Sequence, residues 1–231
     1  GRDIDAIVMS AGGNDVGFGS ILTSCALQSN CPLATTTTPP LSAYPTMQTG
    51  VQALTAELPT GYSLINKCFT DSTCTGTQNQ NLPGLSLSPI GQVFLNSYPD
   101  PTRSETGSTC SYLTISQEDF AWAHDTILDP SPVDPFMYRT TQGRVVPLSS
   151  GAGSLNGAIA NTTQIGWKPI MGTWSKTGTG STGHGVCAGG QSWIFGLTGI
   201  FGFTSGSFHP NPVGQKKISG IIFREMVASG F

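Results

Sequence analysis

The chain has 231 residues, of which 10% are charged, and a formal net charge of −3 at pH 7. This length supports one substantial core, so we expect a single domain over residues 1–231. The weak negative charge provides no attraction to nucleic acid or to an anionic membrane surface, so neither is an expected partner. No apolar run reaches the roughly 18 residues of a membrane-spanning helix, and no signal peptide is recognised.

The six cysteines and the many loop-forming residues indicate a secreted protein. The chain contains 30 glycines and 16 prolines, a composition typical of loop-rich proteins. The cysteines form no CxxC pair and no paired histidines accompany them, so we expect disulfides in an oxidising compartment and no metal site. Two pairs lie close in sequence, and local pairing leaves the other two cysteines for each other. The predicted bonds are Cys25–Cys31, Cys68–Cys74 and Cys110–Cys187.

The first half of the chain alternates strands and helices. Residues 4–9 form an apolar run that predicts a buried strand leading into a glycine-rich turn. Residues 43–68 carry apolar side chains at helical spacing, and Pro59 within them is expected to break or kink the helix. Residues 93–95 predict a second apolar strand, which a proline-rich turn ends. Strands alternating with helices predict an α/β domain with a parallel sheet.

The second half continues this alternation after a long loop. Ser116 is a plausible N-cap, with acidic residues in the following turn favouring a helix. Residues 130–154 are rich in proline, glycine and serine and predict a loop excursion. Residues 155–172 predict a short helix followed by a third strand. From Pro212 to the end, apolar residues predict an amphipathic helix, with Val213 and Ile218 on its apolar face.

The stretch "SAGGNDVGFGS", residues 10–20, presents a candidate functional asparagine. A strand ends there, two glycines permit a tight turn, and Asn14 follows. Ligands of open α/β sheets bind at this carboxyl edge, where an asparagine amide is a suitable donor to an oxyanion. The alternative is an ordinary turn in which Asn14 or Asp15 caps the next helix.

The stretch "HPNPVG", residues 209–214, presents a candidate base just before the last predicted helix. His209 is one of only three histidines in the chain. It is either a general base or a polar residue that caps this helix. We expect His124, on an apolar helix face, to be a hydrogen-bonded structural histidine. His184, beside Cys187, is either part of a site or an anchor of its loop.

Taken together, "GGNDVGF" and "HPNPVG" resemble two conserved blocks of the SGNH (GDSL) hydrolase family, in its secreted bacterial esterase and lipase branch. Between them, "SYPDP", "LNGAIANTTQIGWKPI" and "GHGVCAGGQSWI" are similar to intervening segments, in family order. The resemblance thus covers most of the chain. It implies a flavodoxin-like, three-layer α/β fold with a parallel sheet flanked by helices and long disulfide-tied loops.

The resemblance also implies roles for individual residues. Asn14 matches the oxyanion-hole asparagine, and His209 matches the general base that activates a serine. The family usually has an aspartate three residues before this histidine, where this chain has Gly206. The backbone carbonyl of Gly206 is therefore the candidate group that orients the His209 ring.

The nucleophile is not recognised in this chain. The family's serine belongs to a Gly-Asp-Ser block on a strand upstream of "GGND", where this chain begins. The stretches "GLSLSP" (84–89) and "GTGSTGHG" (178–185) contain serines but do not follow an apolar strand in the required way. We therefore expect the C-terminal portion of a longer hydrolase, without its first strands. The serine would come from an upstream segment or a separate fragment of the same precursor.

The predicted function is a secreted serine esterase or lipase that hydrolyses carboxylic esters of a small-molecule or lipid substrate through an acyl-enzyme. No organic cofactor or metal is needed for this chemistry. Two alternatives remain open at this point. A binding module on the same fold would have lost catalysis, and an acyltransferase would use the same residues with an alcohol other than water.

Overall fold

The structure is a computed structural model that describes residues 4–70, 73–75, 81–83, 87–128, 137–139, 145–147, 154–171, 183–196 and 208–231. Within them the strands are β1 (Ile4–Met9), β2 (Thr73–Thr75), β3 (Asn81–Pro83), β4 (Leu87–Asn96), β5 (Met137–Arg139), β6 (Val145–Pro147) and β7 (Lys168–Ile170). The α-helices are α1 (Phe18–Leu27), α2 (Met47–Thr70), α3 (Gln117–Ala123), α4 (Leu155–Ala160) and α5 (Pro212–Ala228).

The core of the fold is a parallel sheet in the order β1-β4-β7. Ile7 of β1 pairs with Val93 of β4, and Leu95 of β4 pairs with Pro169 of β7. All three predicted strands are present in this sheet, which confirms the predicted α/β class. The second strand is longer than predicted, since β4 covers ten residues rather than the apolar three.

The sheet is buried unevenly. On the central strand β4, Val93, Phe94 and Leu95 are 3%, 0% and 0% exposed. On β1, Val8 is 44% exposed although its neighbours are apolar. Parallel strands are normally covered on both faces by helices. Within the described residues, β1 pairs with β4 alone, and its other edge carries no strand.

Helix α2 runs without interruption through Pro59, so of the two predicted effects, a break or a kink, the break is wrong. A proline removes one helical hydrogen bond and crowds the preceding turn, but tertiary packing can outweigh this cost. Val51, Leu58 and Tyr62 are buried on one face of α2, on both sides of the proline. The apolar stripe that crosses Pro59 thus stabilises a continuous helix, although Leu64 in the same helix is 43% exposed.

Helix α3 begins at the predicted cap. The Ser116 hydroxyl accepts a hydrogen bond from the Asp119 amide at 3.0 Å and donates one to the Asp119 carboxylate at 2.9 Å. Asp119 is only 2% exposed, and its carboxylate also accepts from the Cys31 amide at 2.8 Å. Asp119 therefore does more than place a favourable charge at the start of the helix, because its carboxylate also fixes the distant loop that contains Cys31. The helix continues as one π-helical turn, His124–Leu128.

Helix α5 begins at Pro212, as predicted, and ends at Ala228. Its N-cap is Asn211, whose side-chain oxygen accepts from the Gly214 amide at 2.9 Å. Ile218 is buried, in agreement with the predicted apolar face. Val213 was assigned to the same face but is 55% exposed, because it lies on the other side of the helix from Ile218.

The predicted loop excursion of residues 130–154 lies largely outside the described residues. Within it, the backbones of β5 and β6 pair antiparallel, with Tyr138 opposite Val146. Strands β2 and β3 form a second antiparallel pair. In the described part of the chain, no helix is both long and apolar enough to cross a membrane.

Disulfides tie two of the loops as predicted. The bonds Cys25–Cys31 and Cys110–Cys187 are both present. Cys68 is also disulfide-bonded, while the Cys74 side chain lies outside what the structure describes. The short-range bond closes the loop after α1, and the long-range bond joins segments 77 residues apart. Such bonds stabilise mainly by restricting the unfolded chain.

Candidate active site

A cavity of about 1000 Å³ opens where β1 and β4 end, and it is lined by both predicted catalytic residues. Asn14 reaches it from the turn after β1, and His209 reaches it from the segment before α5. Tyr98 and Asn96, from the end of β4, also line it. The fold thus brings together two side chains that are 195 positions apart in sequence, at the sheet edge where open α/β folds bind ligands.

The two glycines before Asn14 are required by close packing. Gly12 has φ +110°, and a Cβ there would lie 2.5 Å from the Tyr62 hydroxyl. A Cβ at Gly13 would lie 2.2 Å from the Tyr98 ring. Only residues without a side chain fit this turn, because real Cβ atoms do not approach other atoms so closely. The glycine pair therefore lets the backbone turn sharply and present Asn14 at the cavity.

A buried tyrosine of helix α2, Tyr62, holds the start of this turn. The Tyr62 hydroxyl donates a hydrogen bond to the Ala11 carbonyl at 3.0 Å. Burial raises the pKa of Tyr62 well above its ordinary value, and the nearby Tyr98 and Asp15 add to the shift. The phenol therefore stays protonated and remains a donor across the physiological range. Its bond fixes the end of β1 independently of the sheet.

Asn14 does not cap the following helix. The N-cap of α1 is Gly17, and no side chain bonds to the free amides of the first turn. The backbone oxygen of Asn14 accepts from Gly17 at 3.0 Å, while its carboxamide is exposed toward the cavity. Asp15, the other residue considered as a cap, has an exposed carboxylate that makes no hydrogen bond to the described residues. Backbone hydrogen bonds and the Tyr62 hydroxyl therefore shape this turn.

His209 does not cap a helix either, since that role belongs to Asn211. Its backbone is instead fixed by Phe195: the Phe195 amide donates to the His209 carbonyl at 2.9 Å, and the Phe208 amide donates to the Phe195 carbonyl at 3.0 Å. Phe208 is buried and has φ +58°, a conformation that bulky residues rarely adopt. This geometry leaves the His209 side chain exposed at the cavity.

The loop that fixes the His209 backbone, residues 184–195, is itself anchored. Cys187 in this loop is bonded to Cys110. The His184 ring stacks on Trp193 with centroids 3.7 Å apart, and its Nδ1 lies 2.8 Å from the Gln191 carbonyl oxygen. His184 is absent from the described lining of the cavity. Of its two predicted roles, the contacts fit the anchor of this loop.

Gly206, the predicted orienting residue, lies outside the described residues, as do residues 84–86 and 178–182 of the two serine-containing stretches. Three other serines line the cavity: Ser10, Ser20 and Ser24. Ser10 directly follows β1 and is exposed. The sequence motifs did not indicate Ser10, although its position at the end of a strand is a signal that the sequence carries.

The end of β4 supplies two polar groups that the sequence patterns did not reveal. The carboxamide oxygen of Asn96 is buried without a hydrogen-bond partner in the described chain. The Tyr98 backbone is fixed on both sides by Asn156, which accepts from its amide at 2.7 Å and donates to its carbonyl at 3.1 Å. A buried acceptor without a partner is costly, because it has lost its hydrogen bonds to water.

His124 lies in a polar cluster away from this cavity's described lining. Its Nδ1 is 2.6 Å from the Asp100 carboxylate, which also accepts two hydrogen bonds from Thr102 and lies 3.6 Å from Arg103. The prediction of a hydrogen-bonded histidine is confirmed. Burial alone would raise the pKa of Asp100, but the bonds from His124 and Thr102 outweigh it and lower this pKa.

The described residues contain no group of three His, Cys, Asp or Glu side chains arranged to hold a metal ion.

No protein-family model matches the chain, and no curated protein matches it in sequence. Two solved structures resemble it. Phospholipase A1 from Streptomyces albidoflavus NA297 is 19% identical, with a TM-score of 0.53 over 96% of this chain and 69% of that one. The extracellular lipase from Streptomyces rimosus is 18% identical, with a TM-score of 0.54 over 95% of this chain and 68% of that one.

These likenesses establish the fold. It is an α/β fold with a parallel sheet, shared with these two Streptomyces enzymes, which confirms the predicted fold class. The sequence identity is too low to transfer an activity, which has to be argued from the site.

Proposed function

We propose that this protein is a secreted carboxylic ester hydrolase of the esterase or lipase type. The observation that carries the proposal is the convergence of Asn14 and His209 on one cavity. The shared fold with secreted lipases and the disulfides of an oxidising compartment support it. No Asp, Glu, Lys or Arg side chain lines the described cavity, which makes the His209 imidazole the proposed proton acceptor.

The proposed reaction is acyl transfer through a serine. His209 takes the hydroxyl proton as the serine oxygen attacks the ester carbonyl, and the Asn14 amide donates a hydrogen bond to the resulting oxyanion. His209 then gives its proton to the departing alcohol. A water molecule next attacks the acyl-enzyme carbonyl while His209 takes its proton. His209 returns this proton to the serine oxygen as the acyl–serine bond breaks and the carboxylic acid leaves. The Gly206 carbonyl would orient the imidazole, a weaker aid than a carboxylate because it carries no full charge.

The serine is proposed to come from a segment that precedes this chain in the precursor, or from a separate fragment of it. Two observations support this source. Strand β1 has an edge without a partner among the described strands, and its Val8 is 44% exposed. A further parallel strand at this edge would cover Val8 and would end beside Asn14, because carboxyl ends of parallel strands meet at one edge.

A competing source of the nucleophile is Ser10, which lines the same cavity as Asn14 and His209. If Ser10 were the nucleophile, the chain alone would hydrolyse esters. The two sources therefore make opposite predictions for the isolated chain.

The test is hydrolysis of p-nitrophenyl butyrate by the 231-residue chain alone and by the complete precursor product. The expected result is turnover by the complete protein and none by the isolated chain. Turnover by the isolated chain that is lost in Ser10→Ala would place the nucleophile in this chain. If the complete protein binds the ester without hydrolysing it, the non-catalytic binding module is the better description, and ester formation with added alcohol would reveal an acyltransferase.

A further inference from the structure

One part of the cavity lining is apolar and another part carries hydroxyl groups. Helix α1 and the segment before α5 contribute apolar side chains, among them Phe18, Leu22 and Phe208. A second part of the lining is formed by four consecutive threonines, Thr35 to Thr38. Apolar side chains suit a hydrocarbon chain, whereas hydroxyl groups both donate and accept hydrogen bonds. The cavity is therefore built for a ligand with an apolar part and a hydrogen-bonding part.

The threonine segment is held in place at both ends. Before it, the Met47 amide donates to the Ala34 carbonyl at 2.9 Å, and the Cys31 amide donates to Asp119 at 2.8 Å. After it, the Ser42 amide donates to the Thr38 carbonyl at 3.1 Å. The Cys25–Cys31 bond ties the same loop to α1. The hydroxyls are thus presented by a fixed backbone, which lowers the entropy cost of binding.

Three of the four hydroxyls are available to a ligand. The Thr36 hydroxyl accepts from the Thr38 amide at 3.1 Å and so shapes the segment itself. Thr35, Thr37 and Thr38 are exposed, and their hydroxyls make no hydrogen bond to the rest of the described chain. Thr38 is kept unchanged here because its backbone amide and carbonyl both hold the segment, so the test uses Thr35 and Thr37. Their substitution by valine removes a hydroxyl at nearly constant volume without removing an internal bond.

The described lining contains no Lys, Arg, Asp or Glu side chain. A phosphate or carboxylate that leaves water requires a cation or several amide donors, because an unpaired buried charge is very costly. An uncharged alcohol needs only hydroxyl or amide partners. The composition of the wall thus favours a neutral, hydroxyl-bearing group over an anionic one.

We propose that Thr35 and Thr37 form a subsite for an uncharged polyol, glycerol or a sugar, on the alcohol side of an acyl ester whose hydrocarbon chain lies along Phe18 and Leu22. This substrate class rests on the proposed function, but the binding subsite does not depend on catalysis. The two threonines act as specificity-determining residues and take no part in the chemical steps.

The direct test measures binding of three non-hydrolysable ethers to the complete protein by calorimetry: octylglycerol ether, octyl methyl ether and the phosphate monoester of octylglycerol ether. We expect octylglycerol ether to bind most tightly. In the double variant Thr35→Val/Thr37→Val its affinity should fall about tenfold, as expected for two lost hydrogen bonds, with the methyl ether unaffected. Thr60→Val is the matched control, because Thr60 is exposed, is outside the described cavity lining and makes no hydroxyl hydrogen bond to the described chain.

Equal affinity of the double variant and the wild type for octylglycerol ether would overturn the subsite, as would equal or tighter binding of the phosphate. An octylglucoside arm separates a glycerol site from a site that also takes sugars.

Hydrolysis distinguishes failure of the subsite from failure of the proposed function. The ratio of kcat/KM for glycerol monooctanoate to that for methyl octanoate should fall in the double variant. If His209→Ala abolishes methyl octanoate hydrolysis while this ratio stays constant, the esterase stands and the subsite is wrong. If no ester is hydrolysed but ether binding requires the threonines, the subsite stands and the esterase is wrong.

Discussion

His124 and His209 are surrounded in opposite ways. His124 is largely buried, pairs with the Asp100 carboxylate at 2.6 Å, and is absent from the described lining of the large cavity. His209 is exposed on that cavity together with Asn14, and its backbone is pinned by Phe195. The histidine with a carboxylate partner thus lies away from the candidate site. A carboxylate partner does not make a histidine catalytic, because a base must reach the proton that it removes.

Separate substitutions of the two histidines by alanine should show the largest difference between them. His209→Ala in the complete protein should lower kcat for p-nitrophenyl butyrate about 10³-fold or more, because the serine loses its base. Its thermal stability should change less than that of His124→Ala, since the His209 side chain is exposed whereas His124 is largely buried. His124→Ala should retain kcat within about twofold but lose stability. Unchanged turnover in His209→Ala would exclude it as the base.

The second test concerns the partner of His209 at the cavity. Asn14→Ala should lower kcat about 10²-fold to 10³-fold with little change in KM, because its amide is proposed to bond only the developing oxyanion. Asp15→Asn is the neighbouring control, and it should stay within about twofold of wild type. A change in KM alone would place Asn14 in substrate binding rather than oxyanion stabilisation.

The third test concerns the buried pair. Asp100→Asn should destabilise the protein by about 2–3 kcal/mol, because it removes the charge that pairs with His124 and weakens the bonds from Thr102. Chemical denaturation followed by circular dichroism measures this change. Glu118→Gln, at an exposed carboxylate, is the control and should have an effect below about 0.5 kcal/mol. If Asp100→Asn loses activity under conditions where it is fully folded, the role of the Asp100–His124 pair is not purely structural.

The smallest expected effect is the pH dependence of the same pair. The pKa of Asp100 is lowered in the folded protein, so its stabilising contribution is present above its ordinary pKa of 3.8 and is lost as pH falls through the folded value. The stability difference between wild type and Asp100→Asn should therefore shrink in acid below about pH 4. A stability difference that grows in acid would show that the pKa of Asp100 is not lowered by folding.

Local sequence was sufficient for much of the fold. Apolar runs located the three parallel strands, and the cap at Ser116 and the start at Pro212 located two helices, because these signals depend on neighbours within a few residues. The uninterrupted helix through Pro59 was not predictable. Its stability comes from packing against residues distant in sequence, which outweighs the local penalty of proline.

The sequence by itself determined the residue types of the candidate site: a glycine-flanked asparagine after a strand, a histidine before the last helix, and cysteines able to fix the loops. Only the tertiary structure decided that Asn14 and His209 share a cavity, that Asn211 rather than His209 caps α5, and that the four threonines line the same space. The reason is physical. Chemical identity is a property of single residues, whereas reach, exposure and shared walls arise from the packing of segments that the chain order keeps apart.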